Sequence, residues 1–221
     1  MLKAIIFDFD GLILDTEFAE YESWREIYRS FDLELPVREW AAVMGTGTST
    51  RRSTPYDDLD RQLGRLIDRD AIRSRRREHF AKLMEAEALL PGVMELIDEA
   101  RRTGVRLAVA SSSPRSWVMG YLERLDISQV FECIKCGDDV AMAKPEPDLY
   151  FAVLAKLGLT APEAVALEDS PNGVAAAKAA GLFCVAVPNR MTRLTSLAHA
   201  DRIVDSLGDV TLASLSEMVF A

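Results

Sequence analysis

The feature that most constrains this chain is an alternation. Short apolar runs at residues 2–7, 105–110, 165–167 and 182–187, with a weaker one at 130–134, are separated by helical stretches at 91–103, 116–125, 146–157 and 172–180. Runs too apolar to present a polar face read as buried strands. Strands alternating with helices imply a parallel sheet covered on both faces. Gly104, Gly158 and Gly181 follow helical segments, where a glycine just past the last turn is favoured. The fold class predicted is α/β, with a doubly wound parallel-sheet (Rossmann-like) core.

Residues 16 to 88 interrupt the alternation. Strand-like runs are absent there, and 17–31, 36–44 and 69–87 carry helical patterning. A helical block placed directly after the first strand reads as a separate small domain. The predicted division is a core of 1–15 and 89–221 and an all-helical domain of 16–88. Within it, Arg73, Arg75, Arg76 and Arg77 read as a solvated helix face. No internal repeat, low-complexity tract or long linker is legible.

Composition narrows the partners. The 221 residues are 49% hydrophobic and 28% charged, an ordinary globular balance. A formal net charge of −9 disfavours a nucleic-acid partner, since phosphate backbones are held by clustered cations. A site for an anion must then bring its own local cations. The apolar stretch from Leu2 to Phe7 ends in Asp8, too short for a membrane span and without the features of a signal peptide. The expectation is a cytoplasmic protein with no membrane partner; the oligomeric state is not legible. Cys133 and Cys136 form a C-x-x-C. Residues 130–136 read as a strand, where three residues span about 10 Å, beyond the roughly 7 Å reach of a disulfide. They read as structural thiols.

Four strand ends carry the chemistry. Asp8-Phe9-Asp10-Gly11 closes the first run. Residues two apart in extended chain point the same way, so both carboxylates can face one site, and Gly11 permits a sharp turn. Ser111-Ser112-Ser113 follows the run ending at Ala110, offering hydroxyls and turn N–H groups for phosphate oxygens, or simply a helix cap. Lys144 sits in Lys144-Pro145-Glu146-Pro147-Asp148, and Glu168-Asp169-Ser170 closes the fourth strand before Asn172-Gly173. In open α/β sheets ligands bind at the carboxyl ends of strands. Together these residues supply hard oxygen ligands for Mg²⁺, a lysine to offset charge, and donors for phosphate.

With its four ordered motifs at compatible spacing, the chain resembles the haloacid-dehalogenase superfamily of phosphatases. Within it the likeness is to the branch with a helical cap after the first motif, near the beta-phosphoglucomutase-like and phosphoglycolate-phosphatase-like proteins. The motifs are Asp8 to Glu17, Ser111, Lys144 to Asp148 and Glu168-Asp169-Ser170. The resemblance implies that Asp8 attacks phosphorus and that Asp10 is the acid–base; the residues alone do not decide between the two. It also implies Mg²⁺ ligation by Asp8, the backbone carbonyl of Asp10, and Asp169, with Glu168 nearby through water. Ser111, Ser112 and Lys144 would bind the phosphate of a small phosphorylated metabolite.

The helical block would act as a lid that supplies specificity residues. Candidates are Trp24, which faces either the substrate or the cap core, and Gly45, Thr48 and Arg51 in the loop from Gly45 to Arg51. The expected reaction is Mg²⁺-dependent hydrolysis of a small phosphate monoester through an aspartyl-phosphate. The alternative is a sugar-phosphate mutase of the beta-phosphoglucomutase type. Those mutases carry a histidine in the first cap helix where this chain has Glu20, which would add negative charge facing an anion. Readings of another class are a phosphoacceptor switch that does not turn over and a catalytically silent binding protein.

Overall fold

The computed structural model describes residues 1–43 and 54–220. Gly45, Thr48 and Arg51 lie outside the described residues. The chain divides into two compact units, Met1–Leu14 with Ala88–Ala221, and Asp15–Glu87.

In the first unit, β1 (Ala4–Phe7), β2 (Arg106–Ala110), β3 (Cys133–Lys135), β4 (Ala164–Glu168), β5 (Phe183–Ala186) and β6 (Arg202–Ile203) form one sheet in the order β3-β2-β1-β4-β5-β6. Every pairing in it is parallel. The order reverses between β1 and β4, which is where such a sheet opens a crevice at its carboxyl edge. The helices are α5 (Val93–Thr103), α6 (Arg115–Arg124), α7 (Asp148–Leu157), α8 (Pro171–Ala179) and α9 (Leu212–Phe220).

Strand alternation sorts side chains by size. Ala4, Ala108, Ala110, Ala164, Ala166 and Ala186 project to one face, where they pack with Leu149, Tyr150, Val153 and Leu157 of α7 and Val174 and Ala177 of α8. Small strand residues let the bulky face of α7 approach closely. The intervening positions Ile5, Phe7, Leu107, Val109, Val165, Leu167 and Val185 are large and equally buried. Burial on both faces is what the uninterrupted apolar runs required.

The third strand differs from expectation. Residues 128–130 form a 3₁₀ turn and pairing begins only at Cys133. Cys136 has left the strand and leads a second 3₁₀ turn at 137–139. Cys133, Cys136 and Cys184 are free and buried.

The second unit contains α1 (Thr16–Arg29), α2 (Val37–Val43), α3 (Pro55–Leu63) and α4 (Arg69–Ala86). Asp15 caps α1 by accepting from the Phe18 N–H, and Asp68 caps α4 through the Asp70 and Ala71 N–H groups. Helix α3 was not anticipated, because Leu59 is its buried residue and Asp57, Asp58, Asp60, Arg61 and Gln62 make most of its surface polar. Its start is nonetheless encoded. Thr54 and Asp57 cap each other's backbone N–H reciprocally and Pro55 holds the first position. No helix among the described residues is long and apolar enough to cross a membrane.

Candidate active site

The site is built from turns that leave the sheet at its carboxyl edge. Asp8 extends the ladder by one bond, its N–H donating to the Leu167 carbonyl at 2.9 Å. The chain then folds tightly, with Gly11 N–H to the Leu14 carbonyl at 2.7 Å and Ile13 N–H to the Phe9 carbonyl at 2.9 Å. Gly11 has φ +80°, and a Cβ there would lie 2.4 Å from both the Asn189 amide nitrogen and an Asp169 carboxylate oxygen. The turn therefore needs glycine for its conformation and for space.

Asp8, Glu168 and Asp169 bring carboxylate oxygens within 4.8 Å of one another, and all three are buried. Lys144 Nζ donates to Asp8 Oδ1 at 2.8 Å and lies 2.6 Å from Glu168 Oε1. Burial works to lower the Lys144 pKa, but the Asp8 and Glu168 carboxylates overcome it and hold the ammonium above the ordinary lysine range. Glu168 is pushed above the ordinary carboxylate range, first by burial and then by the Asp8 charge, against the pull of Lys144. Both directions are compatible: Lys144 serves two carboxylates, while Glu168 also faces a second negative charge.

The strand period explains the surroundings of Glu168. It follows Ala164 and Ala166 on the face covered by α7 and α8. Tyr150 of α7 donates its hydroxyl to Glu168 Oε1, and burial, then the Glu168 charge, hold that phenol well above its usual pKa. A Cβ on Gly173, in the first turn of α8, would fall 1.7 Å from Glu168 Oε2. That oxygen has no hydrogen-bond partner among the described residues. Three clustered buried carboxylates share one ammonium, and one of them keeps an unsatisfied oxygen, a costly arrangement that a further cation would relieve. The donors are hard oxygens, so the residues present fit Mg²⁺.

Asp10 lies beside this cluster but its carboxylate has other partners. Ser113 Oγ donates to Oδ2 at 2.6 Å, Ser111 Oγ to the same oxygen at 3.3 Å, and Trp117 Nε1 to Oδ1 at 2.9 Å. Ser111 is fully buried, its N–H donating to the Lys135 carbonyl at 2.9 Å and its Oγ accepting from the Ser113 N–H at 3.0 Å. The Ser112 side chain is exposed. The structure thus brings Asp8, Asp10, Ser111, Lys144, Glu168 and Asp169 together within one unit. Ser170, a possible cap in the sequence, does cap α8 by accepting from the Gly173 N–H.

Three residues of this neighbourhood escaped sequence reasoning. Tyr150 lies in an apolar helix, where a tyrosine reads as core. Trp117 sits six residues past Ser111 and belongs to no motif. Asn189 follows β5, two residues past the end of the apolar run 182–187. Its amide donates to Asp169 Oδ2 at 2.7 Å and to the Gly11 carbonyl at 3.2 Å, while its own carbonyl accepts from the Met191 and Thr192 N–H groups. A polar residue just past an apolar run was the signal available.

The helical unit corrects two expectations. Arg76 is not part of a solvated face: its side chain is 17% exposed, pairs with Glu20 at 2.5 Å and lies over the Trp24 ring at 5.2 Å. Glu20 therefore adds no uncompensated negative charge, because its carboxylate meets the guanidinium across the α1–α4 packing and also accepts from the Trp24 indole at 3.3 Å. Of the two readings of Trp24, the core one matches its placement, 4% exposed with its ring edge-on to Tyr56 at 4.8 Å.

Comparison with known proteins places the chain. A family model described as "Haloacid dehalogenase-like hydrolase" matches residues 5–187. The chain is 41% identical to YhcW of Bacillus subtilis (strain 168), a protein named as a phosphatase, over 97% of this chain and 96% of that one. It is 35% identical to the protein CbbY of Cereibacter sphaeroides, over 95% and 94% of the two chains. A crystal structure of a CbbY variant from Rhodobacter sphaeroides in complex with xylulose-(1,5)bisphosphate superimposes with a TM-score of 0.74 at 33% identity, covering 97% of this chain and 99% of that one. The motif residues gathered at the reversal of strand order, the family match over most of the chain and these relatives agree that the protein belongs to the haloacid dehalogenase-like hydrolase family.

Proposed function

We propose that the protein hydrolyses a small phosphate monoester, a phosphorylated carbohydrate, with Mg²⁺ bound and through an aspartyl-phosphate on Asp8. The observation that carries this reading is Asp8 itself, buried beside Glu168 and Asp169 with one oxygen held by Lys144 at 2.8 Å. The sugar-bisphosphate complex of the related CbbY supports the substrate class. Asp8, Asp169 and the Asp10 backbone carbonyl would hold Mg²⁺, with Glu168 behind them through water, and the bound ion would offset charge on the phosphate oxygens.

Lys144 fixes Asp8 Oδ1 and leaves Oδ2 to attack phosphorus, and its positive charge lowers the cost of bringing an anion to an anionic site. The Ser111 hydroxyl and the backbone N–H of Ser112 are the phosphate donors of this turn, since the Ser111 and Ser113 N–H groups are spent on the Lys135 carbonyl and on Ser111 Oγ. As the bond from phosphorus to the ester oxygen breaks, Asp10 gives its proton to the departing alkoxide. It then takes a proton from the water that attacks phosphorus, and the bond to Asp8 breaks to release phosphate. Binding and positioning supply most of the acceleration in phosphoryl transfer, which suits a site whose side chains are already pinned. Residues 15–87 are the substrate-selecting cap in this reading.

A mutase reading shares every step up to the phosphoenzyme. The pairing of Glu20 with Arg76 removes the charge objection to it. What still favours water as the acceptor is the acid at position 20, where the sugar mutases carry a histidine. The test is a panel of phosphorylated sugars with Mg²⁺, beta-glucose 1-phosphate with a trace of the 1,6-bisphosphate included. Many free phosphates released per chain are expected. Glucose 6-phosphate accumulating with little free phosphate would overturn hydrolysis in favour of the mutase. Absence of turnover on every ester would leave a phosphoacceptor or silent protein.

A further inference from the structure

Asp10 emerges from the strand on a turn, and a carboxylate there has two side-chain torsions to fix before it can pass a proton. Its Oδ2 is engaged by Ser113 at 2.6 Å and Ser111 at 3.3 Å. Its Oδ1 is engaged by a residue outside every motif, Trp117, whose indole Nε1 donates at 2.9 Å. The indole is itself held. It meets Tyr121, one turn further along α6, edge-on at 4.8 Å, and Tyr121 lies 6.3 Å from the ring of Phe9. Phe9 is fully buried and directly precedes Asp10. Arg124 covers Tyr121 at 4.9 Å. A stack of rings therefore ties α6 to the backbone next to Asp10 and brings the indole donor to its carboxylate.

We propose that Trp117 is a positioning residue that sets the orientation of the Asp10 carboxylate for proton transfer. An indole N–H donates and cannot accept, so Trp117 takes no part in moving the proton. It can only fix where Oδ1 sits. Transfer requires heavy atoms within about 2.6–3.2 Å, and an untethered carboxylate meets that condition less often. The proposal rests on the reading of Asp10 as the acid–base.

The test compares first-turnover release of the leaving group from a sugar phosphate and from p-nitrophenyl phosphate, whose leaving group needs no proton. Trp117→Phe keeps a ring against Tyr121 and removes the donor. Expected is a loss of about 10- to 100-fold in the first-turnover rate constant at saturation on the sugar phosphate, little change on the nitrophenyl ester, and an unchanged half-saturation concentration. In an Asp10→Asn background the same substitution should cost nothing further, since both changes act through one group. Equal losses on both esters, or full additivity with Asp10→Asn, would overturn the role of Trp117 while leaving Asp10 as the acid. Should Asp10→Asn itself lose both esters equally, the acid–base reading fails and this proposal falls with it. A second arm keeps the tryptophan in place. Of the indole N–H resonances of the three tryptophans, one should move in Asp10→Ala well beyond the others. If none does, the contact is absent in solution and the proposal is wrong.

Discussion

The carboxyl edge of the sheet and the helical unit both pair charge, but the first does so in a buried cluster and the second between part-exposed side chains. At the sheet edge, partners come from distant segments: Lys144 reaches Asp8 across 136 positions, and Asn189 reaches Gly11 across 178. The pairing there is incomplete, and Glu168 keeps a buried oxygen with no hydrogen-bond partner among the described residues. In the helical unit, Arg76 meets Glu20, Tyr28 donates to Asp58 at 2.7 Å, and Arg69 bridges Asp57 and Asp60. Those contacts set opposite charges or a hydroxyl against each carboxylate and hold helices together, although Arg76 Nε is also buried with no hydrogen-bond partner among the described residues. Imbalance in a buried cluster points to chemistry, whereas compensated pairs point to scaffold.

The largest expected effect breaks the comparison at its root. If the sheet-edge cluster is completed by a hard cation, EDTA should reduce turnover to background, and Mg²⁺ should restore it while Zn²⁺ does not. Full activity in metal-free buffer would remove the imbalance as an explanation. Next, Asp10→Asn should lower first-turnover release of the leaving group from an alkyl phosphate by about 10²–10⁴-fold, with a smaller loss on a nitrophenyl ester. An equal loss on both esters would assign Asp10 to something other than proton transfer.

Stability separates the two regions more finely. Lys144→Ala leaves Asp8 and Glu168 buried without their ammonium and should cost about 3–5 kcal/mol by denaturant unfolding. Glu20→Gln in the helical unit disturbs a part-exposed pair and should cost under about 1 kcal/mol. Comparable costs at the two sites would erase the distinction drawn between them. The smallest effect concerns the thiols. Burial pushes the Cys136 thiol up to about 11 and raises Cys133 and Cys184 as well. A raised thiol pKa means little thiolate at pH 8, with reactivity growing only as pH climbs toward that value. Iodoacetamide should therefore label the native protein slowly at pH 8 and the unfolded chain quickly. Fast labelling of the native protein would contradict the burial.

How much was legible follows from the same contrast. The strands were readable because burial on both faces forces apolar runs, and the residue after each run inherits a fixed position at the sheet edge. Asp8, Ser111 and Glu168 could thus be found by counting. Lys144 was found as part of a motif, although the 3₁₀ turn at 137–139 and further irregular chain separate it from β3. Tyr150, Trp117 and Asn189 were missed because each supports a motif residue from an element whose own pattern is ordinary. β6 is two residues long and carries no pattern at all. In the helical unit, the charge run at 73–77 could not reveal that Arg76 turns inward, since helix periodicity ranks positions by hydrophobicity and an arginine stacked on Trp24 counts as polar.

The central claim is that Asp8 carries the phosphate. Its most direct test is acid quenching of the protein during turnover of a phosphorylated sugar, followed by peptide mass spectrometry. The account predicts an acid-stable, hydroxylamine-sensitive phosphoryl group on Asp8, absent from Asp8→Asn. Phosphate mapped to Asp10 or to any other residue, or wild-type turnover by Asp8→Asn, would contradict it.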